Sequence, residues 1–548
     1  MYIYHNSYES EYRKPFGAAL CGSEVWLSLN APDAWEASLH IYSDAEGEKL
    51  IPAEKDGRGF FSWTVSMPKA DGLVWYYFVI NGQDGIVCYG NNLQNRGGEG
   101  CIYFQGQTPV SYKISVYHKF SAPSWYKEGI VYQIFPDRFR RSEKAPAIDG
   151  RHMEDWETLP YYIRNEDGSI KEWNFWGGDL KGIAEKLSYI KSLGANAIYL
   201  NPIFKARSNH RYDTADYFSI DPMLGTEEDF KKLCEKAAKL GIHVILDGVF
   251  NHTGVESSYF RDHPDWYQHD GDQIRCWWGV KDLPQVDELN PEFSAMICGK
   301  DGVLRKWLDL GASGWRLDVA DELPDEFMVR IRKAVKGQSK DNMLIGEVWE
   351  DATDKIDYGV RMHFLGGKEL DSVMNYPLRE DVLAFTRSEI SAAEFASRQM
   401  SRMENYPPEA FAACFNCIGS HDRERIRTLL GSTKAVRFAS VLQYSMPGVP
   451  VIYYGDEAGL EGGPDPDNRR TYPWGKEDKD LIAHYKALGR LRNASECLKK
   501  GSLRAFEGAD GKLYVERTLG AETLRFSFDA LRLDYTIEKL QSIDLAKI

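Results

Sequence analysis

From residue 129 onward the chain alternates between two rhythms, and that alternation limits its architecture more than any other feature. Short apolar runs are followed by longer stretches with apolar positions at helical spacing. The first runs are Gly129-Ile-Val-Tyr-Gln-Ile-Phe135, Ala197-Ile-Tyr-Leu200 and Ile242-His-Val-Ile-Leu-Asp-Gly-Val-Phe250; the others lie at 314–322, 343–349, 371–376, 411–418 and 449–454. In the run at 314–322, Trp315, Leu317 and Val319 alternate with Arg316 and Asp318, the period of a strand. Between runs, Leu180, Ile183, Ala184, Leu187 and Ile190 form a helical stripe that stops at Gly194, and Thr226-Glu-Glu-Asp229 caps a helix that reaches Leu240 before Gly241. Eight strands with intervening helices predict an α/β fold, a (β/α)8 TIM barrel.

The barrel is expected to span 121–475. A polar and aromatic excursion between strands three and four, 253–300, is too long for an ordinary connection and predicts an inserted subdomain. Residues 1–120 differ: alternating runs such as Val25-Trp-Leu-Ser-Leu29 and Val74-Trp-Tyr-Tyr-Phe-Val-Ile80, separated by turns such as Asp56-Gly57 and Asn81-Gly82, predict an N-terminal β-sandwich of glycan-binding or dimerisation type. A last barrel helix at 478–493 and short runs at 502–506, 513–515 and 524–528 predict a small C-terminal β-domain within 476–548.

Composition narrows the function. A net charge of -15 without a basic cluster argues against nucleic acid. No apolar run reaches the length of a membrane span, and the first ten residues lack the basic start and apolar core of a signal peptide. Nine scattered cysteines, with the lone Cys414/Cys417 pair in an apolar strand, read as reduced thiols of a cytoplasmic protein. Aromatic residues at 13% suit both well-filled cores and stacking platforms for sugar rings.

Active sites of such barrels sit at the C-terminal ends of the strands. There strand three carries Asp247, Asn251 and His252, strand four Arg316 and Asp318, strand five Glu347, strand seven His421 and Asp422, and the loop after strand two His210 and Tyr212. A single His or Asp at a strand end is more often structural; so many carboxylates on one rim are repulsive unless a function uses them.

The segments Asp247-Gly-Val-Phe-Asn-His252, Gly314-Trp-Arg-Leu-Asp318, Gly346-Glu-Val-Trp349 and Gly419-Ser-His-Asp422, in this order, resemble the four signature segments of the α-amylase family of glycoside hydrolases. Trp176-Gly-Gly-Asp-Leu180, Asn201-Pro-Ile-Phe204 and Ile452-Tyr-Tyr-Gly-Asp-Glu457 are similar to its neopullulanase, cyclomaltodextrinase and maltogenic amylase group. The resemblance implies a retaining hydrolase of α-1,4-glucosidic bonds in maltooligosaccharides, cyclodextrins or pullulan and starch fragments, with transglycosylation as a side reaction. It implies Asp318 as nucleophile, Glu347 as general acid/base and Asp422 as the third catalytic acid. His210, Tyr212, His252, Arg316, Glu322, Trp349, His421, Asp465 and Arg469 would bind substrate, and Asp247 and Asn251 would brace the site. The partner is an α-glucan oligosaccharide, with pairing of two copies through the leading domain as a family trait.

No cofactor is required and no metal ligand is assigned; calcium stays open as an alternative, with its usual site degenerate. The loop that often holds calcium in the family reads Arg138-Phe-Arg-Arg-Ser-Glu-Lys144 here, with cations where oxygen ligands are needed. Val319-Ala-Asp-Glu322 and Leu283-Pro-Gln-Val-Asp287 depart from the group's usual Val-Ala-Asn-Glu and Met-Pro-Lys-Leu-Asn, which keeps open an α-1,6-acting glucosidase or a transglycosylase. A barrel that only binds or scaffolds glycans is the alternative outside catalysis; it would be expected to lack one of the three acids, and all three are present.

Overall fold

Eight parallel strands form one sheet in the computed structural model, which describes residues 1–541 apart from 84, 147, 149, 167 and 358. They are β1 (Val131–Ile134), β2 (Ala197–Leu200), β3 (His243–Gly248), β4 (Gly314–Leu317), β5 (Met343–Gly346), β6 (Ser372–Val373), β7 (Phe415–Cys417) and β8 (Val449–Tyr453). Their spatial order is β6-β5-β4-β3-β2-β1-β8-β7, and a parallel bridge from Met374 to Phe415 joins the two edges into a (β/α)8 barrel.

Every residue of β1, β2, β4 and β5 is buried, as strands covered on both faces must be. Val131, Tyr199, Ile245, Ile345, Phe415 and Val451 fill the barrel. Their neighbours Tyr132, Ile198, Leu246 and Leu344 turn outward and pack in the larger core with the helices. The same alternation turns Trp315 and Leu317 outward and leaves Arg316 facing in.

Helices α1 (Leu180–Ser192), α2 (Glu227–Lys239), α3 (Val303–Asp309), α4 (Asp325–Gln338), α5 (Tyr376–Thr386), α6 (Ala392–Asn405), α7 (Thr433–Ser445) and α8 (Lys479–Ala494) surround the sheet. Asp179 caps α1 through the Gly182 N–H, and Thr226 and Asp229 close a reciprocal capping box on α2. Among the described residues no α-helix joins β5 to β6, contrary to the regular alternation. That connection carries a short hairpin, Ile356–Asp357 with Val360–Arg361, and then lies against the N-terminal strands. His118 N–H donates to the Gly366 carbonyl (2.8 Å), and Asp71 binds His363 (2.6 Å) and Lys368 (3.0 Å). The N-terminal strands thus cover a face that a helix would otherwise cover.

Those strands form two sheets. One holds Arg13–Lys14, Glu24–Asn30 and Phe60–Ser66; the other runs Ala19–Leu20, Tyr112–Tyr117, Gly72–Gly82, Ala34–Ser43, Gly47–Ala53, with Gly85–Gly90 and Cys101–Tyr103 attached. Leu27, Leu39, Trp63, Phe78 and Ile80 belong to the core they share. A buried ion pair, Arg13–Glu404 at 2.7 Å, ties this region to α6.

Within 253–300 the chain makes short helices, including Pro291–Cys298, and a two-residue hairpin, His269–Asp270 with Gln273–Ile274. The chain's last sheet has four antiparallel strands, Ser502–Glu507, Leu513–Leu519, Glu522–Asp529 and Asp534–Gln541. The fourth had no apolar signature because most of it is exposed. Residues 542–548 of the expected C-terminal domain lie outside the described residues. Among the described residues no helix is long and apolar enough to cross a membrane.

Candidate active site

Strand β4 stops at Leu317, and the alternation read through residue 322 breaks there. Val319 takes a left-handed backbone, φ 48°, which a β-branched residue adopts only under constraint, and Ala320–Glu322 make a single 3-10 turn. The turn brings the Val319 N–H to Glu347 Oε2 (2.9 Å) and the Asp321 N–H to the Glu347 carbonyl (3.2 Å). The strained residue therefore anchors the ends of two strands to each other.

Arg316 is fully buried at the centre. Its Nη1 donates to Asp247 Oδ1 and Asp318 Oδ1, both at 2.8 Å, and its Nη2 forms an ion pair with Glu347 Oε2 at 2.8 Å. Registry explains the convergence, because Arg316 pairs across the sheet with Asp247 in β3 and with Ile345, two residues before Glu347, in β5. Asp247 is saturated: its Oδ2 accepts from the hydroxyls of Tyr199 (2.5 Å) and Tyr212 (2.9 Å).

Three carboxyls around one guanidinium leave surplus negative charge in a dry environment, so the cluster retains protons. Burial pushes Glu347 up to about 7, against the opposing pull of Arg316. Burial also raises Asp318 above the ordinary carboxylate range, opposed by Arg316 and reinforced by Glu347 and Asp247. Arg316 lies 2.8 Å from both Asp318 and Glu347, so the two acids share one counter-ion and titrate as a pair. Asp422 differs: despite burial, His421, Arg316, Arg469 and the Tyr376 hydroxyl together hold its pKa below the ordinary value.

The histidines are neutral donors. Gln133 Nε2 donates to His421 Nδ1 (2.9 Å), which puts the ring proton on Nε2, beside the Tyr212 hydroxyl and 3.2 Å from Asp422 Oδ1. Burial lowers His421 to about 3 and His252 to about 4, and His210 well below its usual value. The Asn251 amide lies 3.2 Å from His252 Nδ1, while His252 Nε2 is buried without a partner at the pocket wall.

The pocket above these groups has a volume of about 370 Å³. Of the residues singled out in the sequence, Asp318, Glu347 and Asp422 line it together with His210, Tyr212, His252, Glu322, Trp349, Asp465 and Arg469. Arg316, Asp247, Asn251 and His421 stand behind that wall. Trp349 stacks on Tyr376 at 3.9 Å and 7°. Arg469 Nη1 pairs with Asp465 Oδ1 (2.9 Å), and Asp465 Oδ2 accepts from the Tyr162 hydroxyl (2.5 Å). Tyr162, Trp277 and Trp278 also line the pocket, and sequence reasoning did not choose them. The aromatic enrichment of the excursion was the signal for the two tryptophans. Their indole N–H groups both reach Glu322 Oε1, at 3.2 and 2.9 Å.

In the loop after β1, Arg138 lies over the Trp176 ring at 3.7 Å and bonds Asp137, and Arg141 Nε takes the Trp176 carbonyl (2.7 Å). Asp179 accepts from Ser142 and Gly182, each at 2.6 Å.

Residues 133–291 and 264–490 match the family model of the α-amylase catalytic domain. An amylopullulanase of Thermoanaerobacter thermohydrosulfuricus is 34% identical over 93% of this chain and 40% of its own length. A cyclomaltodextrinase of Geobacillus thermopakistaniensis (strain MAS1) is 37% identical over 91% of this chain and 79% of its own length. The solved cyclic alpha-maltosyl-(1-->6)-maltose hydrolase of Arthrobacter globiformis superposes with a TM-score of 0.67 at 31% identity, over 77% of this chain and 98% of that one. The chain spans less than half the length of the amylopullulanases it matches.

Proposed function

Because the chain belongs to the α-amylase family of glycoside hydrolases, we propose that it cleaves α-1,4-glucosidic bonds with retention of configuration. Its substrates are maltooligosaccharides, cyclodextrins or fragments of pullulan and starch. The observation that carries this reading is the shared guanidinium: neighbouring nitrogens of Arg316 hold Asp318 and Glu347 at 2.8 Å each. That arrangement suits the separation of about 5–5.5 Å that a nucleophile and an acid/base need in a retaining enzyme.

Asp318 attacks the anomeric carbon while Glu347 gives its proton to the leaving oxygen. Glu347 then draws a proton from the water, or the second sugar, that resolves the glycosyl-enzyme. The pKa of about 7 supports Glu347 as an acid that starts protonated near neutral pH. Asp422 and His252 hold hydroxyls of the reacting sugar, His421 orients Asp422 and Tyr212 from behind the wall, Tyr212 stacks on the sugar, and Asp465 and Arg469 hold the next one. Trp349, Glu322 and the paired tryptophans present further stacking and polar surface.

The reaction needs no metal in this reading, which the guanidinium groups of Arg138 and Arg141 support by occupying oxygens of the loop after β1. A cytoplasmic site of action is part of the proposal, supported by nine cysteines that form no disulfide. Product analysis on maltotriose, β-cyclodextrin, pullulan and starch tests it. Pullulan cut at α-1,4 bonds yields a linear trisaccharide that retains one α-1,6 bond, and cut at α-1,6 bonds yields maltotriose. Release of the α-anomer first is expected; release of the β-anomer, or no release from any substrate, sinks the reading.

A further inference from the structure

The catalytic pocket shares two walls, His210 and Leu283, with a second cavity of about 170 Å³. That cavity in turn shares Trp173, Arg207 and Glu256 with a third, of about 620 Å³, larger than the pocket itself. None of the assigned acids lines either extension. Trp173 is the pivot: its ring meets His210 edge-on at 4.8 Å and Tyr162 at 5.8 Å, and it borders both outer cavities.

We infer that these cavities form a side groove that binds an arm of the α-glucan beyond the reacting sugar, with Trp173 as its stacking platform and Arg207 as its hydroxyl donor. The inference rests on the glycosidase reading. A half-buried indole offers the apolar face that a pyranose packs on. The Arg207 guanidinium stands 3.5 Å from Glu256 and 3.9 Å from Asp282, ion-pair distances, and makes no hydrogen bond among the described residues. Its N–H donors therefore remain available for hydroxyls. The large cavity is lined by both signs of charge, Arg151, Lys171, Lys205 and Arg261 with Glu172, Asp216 and Glu256, a polar wall of donors and acceptors that suits the hydroxyls of a sugar.

The arm is either a linear continuation of the chain or an α-1,6 branch, and the two separate experimentally. KM and kcat are measured for maltotriose, maltoheptaose and a branched maltooligosaccharide with the full-length protein, Trp173→Ala and Arg207→Leu. In both variants KM is expected to rise about three- to tenfold for the long or branched substrate, the range of one lost aromatic stacking contact. The maltotriose constants should stay within about twofold. A rise confined to maltoheptaose identifies a linear arm, and one confined to the branched sugar identifies a branch. An equal rise on all three substrates overturns the inference, since Trp173 would then act only by supporting His210; no change overturns it as well. A wild type that cleaves none of the sugars is a failure of the glycosidase reading instead, so the two failures are distinguishable.

Discussion

Two buried charge clusters in one barrel are built with opposite balance. At the C-terminal end of β4, one cation, Arg316, serves three carboxyls, Asp247, Asp318 and Glu347. Just before β6, at the opposite end of the barrel, one carboxyl, Asp371, serves two cations, Arg332 (2.9 Å) and Lys336 (2.5 Å), and also accepts the Leu344 N–H (3.0 Å). The first is short of positive charge, so protons move on and off it. The second has its acid held between two cations, and that pairing ties α4 to the strands. Burial alone therefore does not mark a site; the sign of the uncompensated charge does.

The largest effect should come from neutralising the under-compensated cluster. Glu347→Gln or Asp318→Asn is expected to lower kcat by about 10²–10⁴-fold or more, with sugar binding retained in calorimetry. A loss of less than tenfold would remove these residues from the chemistry. Asp371→Ala should do the reverse. It leaves two cations and an N–H unpaired, so unfolding free energy in urea should fall by about 3–5 kcal/mol while kcat of the folded enzyme stays near wild type. If kcat fell as steeply as stability, the division between a reactive and a structural cluster would be wrong.

The proton inventory sharpens the contrast. In the proposed mechanism Glu347 must be protonated to act, and its pKa is raised to about 7, so kcat/KM should fall close to tenfold per pH unit as pH rises above about 7. Stability follows the same sign. Glu347 and Glu457, both pushed up to about 7 by burial, and Glu288, pushed up to about 8, keep protons that the unfolded chain releases. Stability that is full below their unfolded values is lost as pH rises through 7 to 8. Glu347→Gln, which cannot ionise, should make that loss shallower in urea titrations at pH 6 and pH 8. An unchanged slope would show that Glu347 is not a proton reservoir.

The barrel was legible because most of its strands are buried on both faces and appear as short apolar runs, while β4 shows instead an alternation around Arg316. The acids were legible because each ends such a run. Local exceptions were not. Val319 reads as one more alternating apolar residue, and only its neighbours in space force it into the left-handed region where its N–H meets Glu347. Among the described residues the place of a helix between β5 and β6 is taken by contacts from a region more than two hundred residues earlier in the chain, such as Asp71 to His363. Trp277 and Trp278 sit in a segment with no periodicity, so nothing local said that both would turn toward Glu322.

That last contact carries the smallest predicted effect and tests the pocket wall away from both clusters. Trp278 is exposed, with a left-handed backbone (φ 49°), and its Nε1 bond to Glu322 Oε1 at 2.9 Å is one of two that hold the indoles over the pocket. Burial raises the Glu322 pKa while the two indoles oppose it, as expected of a carboxylate whose charge is stabilised by these donors. Glu322→Gln keeps the shape and weakens two charge-assisted hydrogen bonds, a loss of about 1 kcal/mol for a partly solvated group, so KM should rise by about threefold to sixfold. The carboxyls around Arg316 are untouched, so kcat and its pH dependence should stay put. A shift of the pH profile in this variant would mean that Glu322 belongs to the charge balance around Arg316 after all, and the boundary between reactive cluster and binding wall would have to move outward to include it.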